Sequence, residues 1–339
     1  MPKRLITSLL VCLLALSIGC SSDKKEEEAA PAADPFQQLV DAYRKAETPE
    51  ERVDLCKKFI AENPDGPRTA LILGEACRLL IEELDDPTHA LRLAASTLEL
   101  SSDPDVRFDI KKEILTVYAK TGKKEELRAL VSELAAEKEL GYTDHLAITE
   151  ATVEAELWDL VFSHSGMCER FATVEAYRAD YPKKQISDED VERSVKRRAS
   201  WALVYKGRAL SRLDRFDEAV TAFTDAKKTT TFSYVGAPET PLYQYWGETL
   251  LEQGDADGAM KLLAPEAIMM NDEEALALYE KAYIAKKGRA DGFDKHSWTV
   301  RNKLARDIED FTLPRYDGTE FSLSSLEGKV ILLTFWFPT

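Results

Sequence analysis

The stretch Ala199–Lys228, ASWALVYKGRALSRLDRFDEAVTAFTDAKK, decides the fold. Its second half places Phe216, Ala219, Val220, Phe223 and Ala226 on one stripe of a 3.6-residue helix. Its first half presents Trp201, Val204, Gly207, Leu210 and Leu213 in the same way, and Asp214-Arg215 makes a tight turn between the two. Gly207 and Ala219 are small enough for two helices to approach closely, with Phe223 filling the space beyond them. Neither helix can bury its stripe alone, so the stretch predicts an antiparallel helix pair that stacks on further pairs.

The pair resembles the tetratricopeptide repeat, whose pattern runs W-x-x-L-G-x-x-Y and then A-x-x-x-F. Gly207, Leu210, Ala219, Phe223 and Ala226 sit at matching offsets, whereas Leu203 and Lys206 replace the usual Trp and Leu. A second copy follows 40 residues later with Gly247, Leu250, Gly254, Ala259 and Leu263. Weaker copies precede it. One holds Leu73, Gly74 and Cys77 and then Ala90 and Ala94, with a few residues inserted at its turn; another holds Tyr118, Gly122, Leu127 and Val131. Pro64 and Pro104 lie 40 residues apart and Pro182 lies 78 further on, so the expected period is near 40. That exceeds the 34 of the tetratricopeptide repeat and overlaps HEAT and armadillo units, and an irregular all-α domain is the alternative.

From residue 36 to 305 the expectation is therefore a mainly α, TPR-like helical-repeat solenoid. Such solenoids bind partners along a concave face, which implies a protein partner or substrate protein in the groove. One TPR subclass clamps a C-terminal carboxylate with Lys and Asn on first helices. The corresponding positions here are Val204 with Arg208 and Gln244 with Glu248, which do not supply that clamp.

After Arg306 the pattern changes. Asp307–Thr339 reads DIEDFTLPRYDGTEFSLSSLEGKVILLTFWFPT. Phe311–Leu313 and Glu320–Leu323 are short strand candidates around the turn signal Asp317-Gly318. Val330–Phe337 is apolar almost throughout, as in a strand buried on both faces of a sheet. These residues resemble the opening of TlpA/ResA-type and redoxin (AhpC/TSA) domains of the thioredoxin superfamily. Phe311, Asp317, Gly318, Gly328, Phe335 and Trp336 carry the match, in order with Ser322-Leu323, Leu326 and Lys329; Glu309 departs where the family has Pro. The resemblance implies a truncated thioredoxin-like α/β segment beginning at residue 306. In the family a Cys-x-x-Cys follows that apolar strand within a few residues, and its first thiolate attacks a substrate disulfide. The sequence stops at Thr339 before any such cysteine, so no catalytic residue is assigned. A C-terminal β-hairpin docked on the helices is the competing reading of the same residues.

At the other end, Lys3 and Arg4 precede the apolar run Leu5–Ile18, too short to span a bilayer and suited to a signal peptide over residues 1–19. Leu16-Ser17-Ile18-Gly19-Cys20 resembles a bacterial lipobox, with Ser17 where an aliphatic residue is usual. That resemblance implies lipid attachment at Cys20, a membrane anchor and a place in the cell envelope. Residues 20–35 read as an acidic Ala/Pro linker. The chain carries 45 basic and 61 acidic side chains, a net charge of −16. This excess opposes nucleic-acid phosphates and anionic lipid, and nucleic-acid binding is excluded on that ground.

Cys56, Cys77 and Cys168 are widely spaced and form no C-x-x-C. An odd number leaves at least one thiol free; small buried hydrophobes are the simpler reading, and a Cys56–Cys77 bridge is the alternative. His164 and Cys168 share a helix face, but no further metal ligands stand near them in sequence, and His89, His145 and His296 are isolated. No metal or cofactor is expected. Ser187 followed by Asp188-Glu189-Asp190 reads as a capped helix start. Two functions fit the whole: a tethered thiol–disulfide oxidoreductase with a partner-binding repeat region, or a non-catalytic repeat scaffold.

Overall fold

The structure, a computed structural model, describes residues 34–328 apart from 183, 234–237, 271, 307–308, 316 and 327. The signal segment, Cys20, nearly all of the acidic linker, the apolar run Val330–Phe337 with Phe335 and Trp336, and the end at Pro338-Thr339 lie outside the described residues. The chain divides into two compact units, Met1–Gln253 and Gly254–Thr339.

The first unit is a stack of helix pairs: α1 (Pro35–Lys45) with α2 (Pro49–Glu62), α3 (Thr69–Arg78) with α4 (Pro87–Leu100), α5 (Pro104–Lys120) with α6 (Lys124–Glu137), and α7 (Tyr142–Glu154) with α8 (Trp158–Arg170). After the short α9 (Val174–Asp180), the long α10 (Asp188–Arg212) pairs with α11 (Phe216–Thr229), and α12 (Leu242–Glu252) closes the unit. The sequence writes most of the helix starts. Asp34-Pro35, Thr48-Pro49, Asp86-Pro87 and Asp103-Pro104 each place a side-chain acceptor on first-turn amides and a proline in the first turn, where its missing N–H costs nothing. Ser187 caps α10 as expected, accepting from Asp190 N.

The turns inside the pairs share one device. Gly122, Glu156 and Asp214 each take a left-handed conformation, with φ of 72°, 56° and 57°. The next amide then reaches five residues back, Lys123 N to Tyr118 O, Leu157 N to Thr152 O and Arg215 N to Leu210 O, closing the helix end. The residues inserted after Cys77 form a π-helical turn, Leu79–Glu83, that lengthens α3.

First helices begin at residues 35, 69, 104, 142, 188 and 242, so the spacing is 34, 35 and 38 residues before it widens to 46 and 54. The expected period near 40 holds only as the mean of these unequal spacings: the early repeats have tetratricopeptide length and the later ones are longer. The prolines misled because they hold different posts, Pro104 opening a helix while Pro64 and Pro182 lie in loops between repeats. The widening comes from α9, the length of α10 and the loop before α12, where Phe232 bridges Pro238.

One apolar cluster runs from Leu39 to Leu157 through the first repeats, with Leu73, Ile110, Leu115, Leu127 and Leu134 fully enclosed. Ala90 and Ala94, Leu127 and Val131, and Ala219, Phe223 and Ala226 are all buried, as their repeat offsets require. Leu213 and Val220, counted on the stripes, are not in that core; Leu213 is exposed at the turn.

The second unit holds α13 (Ala256–Ala264), a π-helical turn at Pro265–Met269, α14 (Glu273–Lys287) and α15 (Phe293–Leu304). It then carries a two-stranded antiparallel hairpin, β1 (Thr312–Pro314) with β2 (Glu320–Ser322). The unit boundary falls between α12 and α13, inside the repeat copy that begins at Gly247.

Candidate partner-binding face

In the first unit the first helices lie side by side, α3 on α5, α5 on α7, α7 on α10 and α10 on α12. That row is the face on which a solenoid of this kind presents a continuous surface. Its charged side chains are largely spent on one another. Lys120 reaches back to Glu82, Lys112 Nζ lies 3.0 Å from Asp144, and Arg212 Nη1 lies 2.7 Å from Glu252. On the second helices, Arg128 grips Asp159 with two bonds of 2.8 Å. Each pair joins neighbouring repeats and fixes their stagger.

The densest cluster sits where α8, α10 and α12 meet. Arg208 pairs with Glu248, and its guanidinium stands 4.7 Å from the Tyr245 ring centroid and 6.0 Å from that of Trp158. Arg212 lies 5.9 Å from the same Trp158 ring. Ser211 Oγ lies 2.9 Å from Thr249 Oγ1 and donates to Glu252. Phe223 stacks on Trp246 at 6.0 Å behind them. A carboxylate clamp has no room here: Val204 is fully buried, and Arg208 and Glu248 are ion-paired with each other. The aromatic rings, partly buried, are what the cluster offers a ligand.

Two open clefts flank this row. One, of about 730 Å³, is lined by Phe162, Gly166, Met167 and Arg170 of α8 and by Lys206 of α10, which pairs with Glu169 at 2.8 Å. The other, of about 580 Å³, lies at the start of α5, where Lys138 Nζ sits 3.6 Å over the Phe108 ring.

Sequence reading did not find the Arg208–Glu248 pair, yet a signal existed. Residues at equal offsets in consecutive repeats become neighbours, and opposite charges at equal offsets are visible without coordinates. His145 and His164 were also missed as partners: their Nδ1 atoms lie 2.9 Å apart between α7 and α8. Burial holds both imidazoles below the usual histidine range, His164 to about 4, with His145 adding to the depression at His164. Cys168 is fully buried, near Tyr142 O, so the expected His164–Cys168 face is packing. Cys56, Cys77 and Cys168 are free thiols rather than a bridged pair. Burial also lifts Glu113, set against Gly74, to about 7. Among the described residues no group of three or more His, Cys, Asp or Glu is placed to hold a metal, and no helix is long and apolar enough to cross a membrane.

At the other end, β1 and β2 fall within a residue or so of their expected places, and Gly318 takes a left-handed φ of 81° in the turn. Asp317 Oδ1 accepts from Thr319 N at 2.9 Å. Phe311 stays outside the strand, its carbonyl accepting from Leu323 N, and Gly328 is left-handed at φ 79°. Asp310 closes the hairpin from below, accepting from Ser324 N at 2.8 Å and from Ser322 Oγ at 2.9 Å. Phe335, Trp336 and Cys20 lie outside the described residues.

No family model and no curated protein matches the chain. Among solved structures, a tetratricopeptide repeat protein from Parabacteroides merdae ATCC 43184 superposes with a TM-score of 0.48 at 13% identity, over 78% of this chain and 91% of that chain.

Proposed function

We propose that the chain is a protein-binding helical-repeat scaffold held at a membrane of the cell envelope. The observation that carries the binding role is the continuous row of first helices, whose charges are used to lock repeats together while Trp158 and Tyr245 remain partly accessible. Aromatic side chains of this kind supply contact area at little entropic cost. Photo-crosslinkers placed at Tyr245 on α12 and at Trp158, where the start of α8 meets the row beside Arg208, and separately at second-helix positions away from that row such as Glu218, test it in cells. Crosslinks confined to the first pair are expected; crosslinks spread evenly over both sets would overturn the assignment of this face.

Anchoring rests on the lipobox-like residues around Cys20. Radiolabelled palmitate should enter the chain and be lost in Cys20→Ser; equal labelling of both removes the anchor.

The finer reading is that residues 306–339 open a redoxin-type domain, making the complete protein a thiol–disulfide oxidoreductase. Its support is the ordered motif together with the Asp310-closed hairpin around Asp317-Gly318. A Cys-x-x-Cys within about ten codons beyond Thr339 is the expected finding. An in-frame stop leaves the non-catalytic scaffold as the function.

A further inference from the structure

Charge is unevenly distributed along this acidic chain. Between Lys281 and Arg306 stand eight cations (Lys281, Lys286, Lys287, Arg289, Lys295, Arg301, Lys303 and Arg306) against two acids, Asp291 and Asp294. That is a local charge of +6, which leaves −22 on the rest of the chain. All eight cations are exposed. In the first unit most cations on the repeat helices are paired, but among the described residues only Lys286 of these eight has an ion-pair partner, Asp257. The cations gather on the end of α14, the loop after it and α15, while the earlier turns of α14 carry Glu273, Glu274 and Glu280: His296, held on α14 by Tyr279, is pushed down by burial and then by Lys287, Lys286 and Lys303.

The same helix pair exposes apolar surface. Trp298 is 63% accessible, more than any other large hydrophobic side chain among the described residues, and α15 buries no residue fully. Arg301 holds the indole from one side at 5.4 Å while donating to Ile268 O at 2.7 Å. An open cleft of about 340 Å³ runs beside it, floored by Ile268, Leu276 and Phe293. Met269 and Met270 are also exposed, at 44% and 45%. An accessible indole bordered by Lys and Arg that have no carboxylate partner is the side-chain chemistry of a bilayer interface, where the ring sits at headgroup level and cations meet lipid phosphate.

We propose that the α14–α15 face docks onto an anionic bilayer surface through Trp298, Lys295, Arg301 and Lys303. The strongly negative remainder of the chain is repelled by that surface, so contact is restricted to this face. A lipid at Cys20 would hold the face near a membrane, but the contact does not depend on that anchor.

The test uses the full chain reconstituted on vesicles and reads the tryptophan quenching by brominated lipid that is lost in Trp298→Phe. On vesicles with about 30% phosphatidylglycerol this Trp298-specific quenching should be roughly tenfold that on phosphatidylcholine alone. It should collapse in 0.5 M salt, where the screening length is roughly half that at physiological salt, and in Lys295→Glu/Lys303→Glu. Both substitutions lie on exposed positions of α15, and unchanged far-ultraviolet circular dichroism confirms that the variants fold. No Trp298-specific quenching, or equal quenching on neutral vesicles, overturns the proposal. So does protection of Trp298 by a polyglutamate peptide in solution matching that by vesicles, which assigns the face to an acidic protein segment instead. Because the signal reports Trp298 alone, loss of acylation at Cys20 and failure of this contact remain distinguishable.

Discussion

Arg208 and Glu248 occupy the same position of two consecutive repeats, 40 residues apart in the chain and paired in space. Arg212 and Glu252 repeat the relationship one turn on, at 2.7 Å and the same separation. Because α10 and α12 run alongside each other, an equal offset becomes an adjacency, and opposite charges there fix the stagger of the two helices. Sliding one helix by a turn would break one of these two pairs, and in one direction would set Arg208, a guanidinium with 11% side-chain exposure, opposite Gln244 instead of a carboxylate.

Removing one partner of this pair should therefore cost more than removing both. Arg208→Ala is expected to lower the stability of the first unit by about 1–3 kcal/mol, moderated because the Glu248 it strands is still partly solvated. Arg208→Met/Glu248→Met should recover most of that loss, since two apolar side chains leave no stranded charge. Urea denaturation of the three variants checks it, and a double variant less stable than Arg208→Ala would contradict the argument.

The repeat architecture was readable because its packing depends on residue size and period. Gly207, Ala219, Phe223 and Ala226 are local features, and they fall where the stripes place them. The hairpin was equally legible, since Asp317-Gly318 needs only its neighbours to turn. The repeat length was not: proline spacing reports where the chain bends, and Pro64, Pro104 and Pro182 bend it at different points of the repeat. The His145–His164 contact was invisible for another reason. The register of α7 against α8 depends on Glu156 adopting φ 56°, which a glutamate does only when the surrounding packing compels it. The charge concentration between Lys281 and Arg306 was present in the sequence but hidden by averaging over the whole chain.

Gly207 marks the closest approach in the best-matched repeat. A Cβ there would stand 2.6 Å from Phe223 Cε1, well inside van der Waals contact. Gly207→Ala gains helix propensity, up to about 1 kcal/mol, but forces the ring of the fully buried Phe223 to move. The net expectation is a loss of about 1–3 kcal/mol from overpacking. Phe223→Leu opens that space, so Gly207→Ala should cost less in the Phe223→Leu background than alone. Additive thermal midpoints would show that the two residues do not compete for the same volume.

The histidine pair gives the first unit a pH dependence of definite sign. Burial and then His145 hold His164 at about 4, below its ordinary 6.5, so the unfolded chain binds more protons between those values. Stability from this site is complete above pH 6.5 and is lost as the pH falls towards 4. Replacing His164 by Phe removes the titration, and the midpoint of urea unfolding should then fall less steeply across that window. Identical slopes in both proteins would mean that carboxylates alone set the acid sensitivity.

Cys56, Cys77 and Cys168 are 1%, 2% and 0% accessible. Burial pushes each thiol up to about 12, with Glu75 adding to the effect at Cys56, Glu113 at Cys77 and Glu150 at Cys168. At pH 8 the thiolate fraction is then roughly one in ten thousand, and thiolate is the reacting species. Iodoacetamide should leave all three unmodified in the folded chain and label all three in urea, with no change in mass on adding reductant beforehand. Peptide mapping resolves the sites individually, which matters because they sit in different repeats. Cys77 packs between α3 and the start of α4, its Sγ 3.7 Å from Ala90 O, so rapid native labelling there alone would reveal opening of the second repeat. Labelling of all three at one common rate would instead report unfolding of the whole first unit, and that rate should follow the stability losses expected for Arg208→Ala and Gly207→Ala.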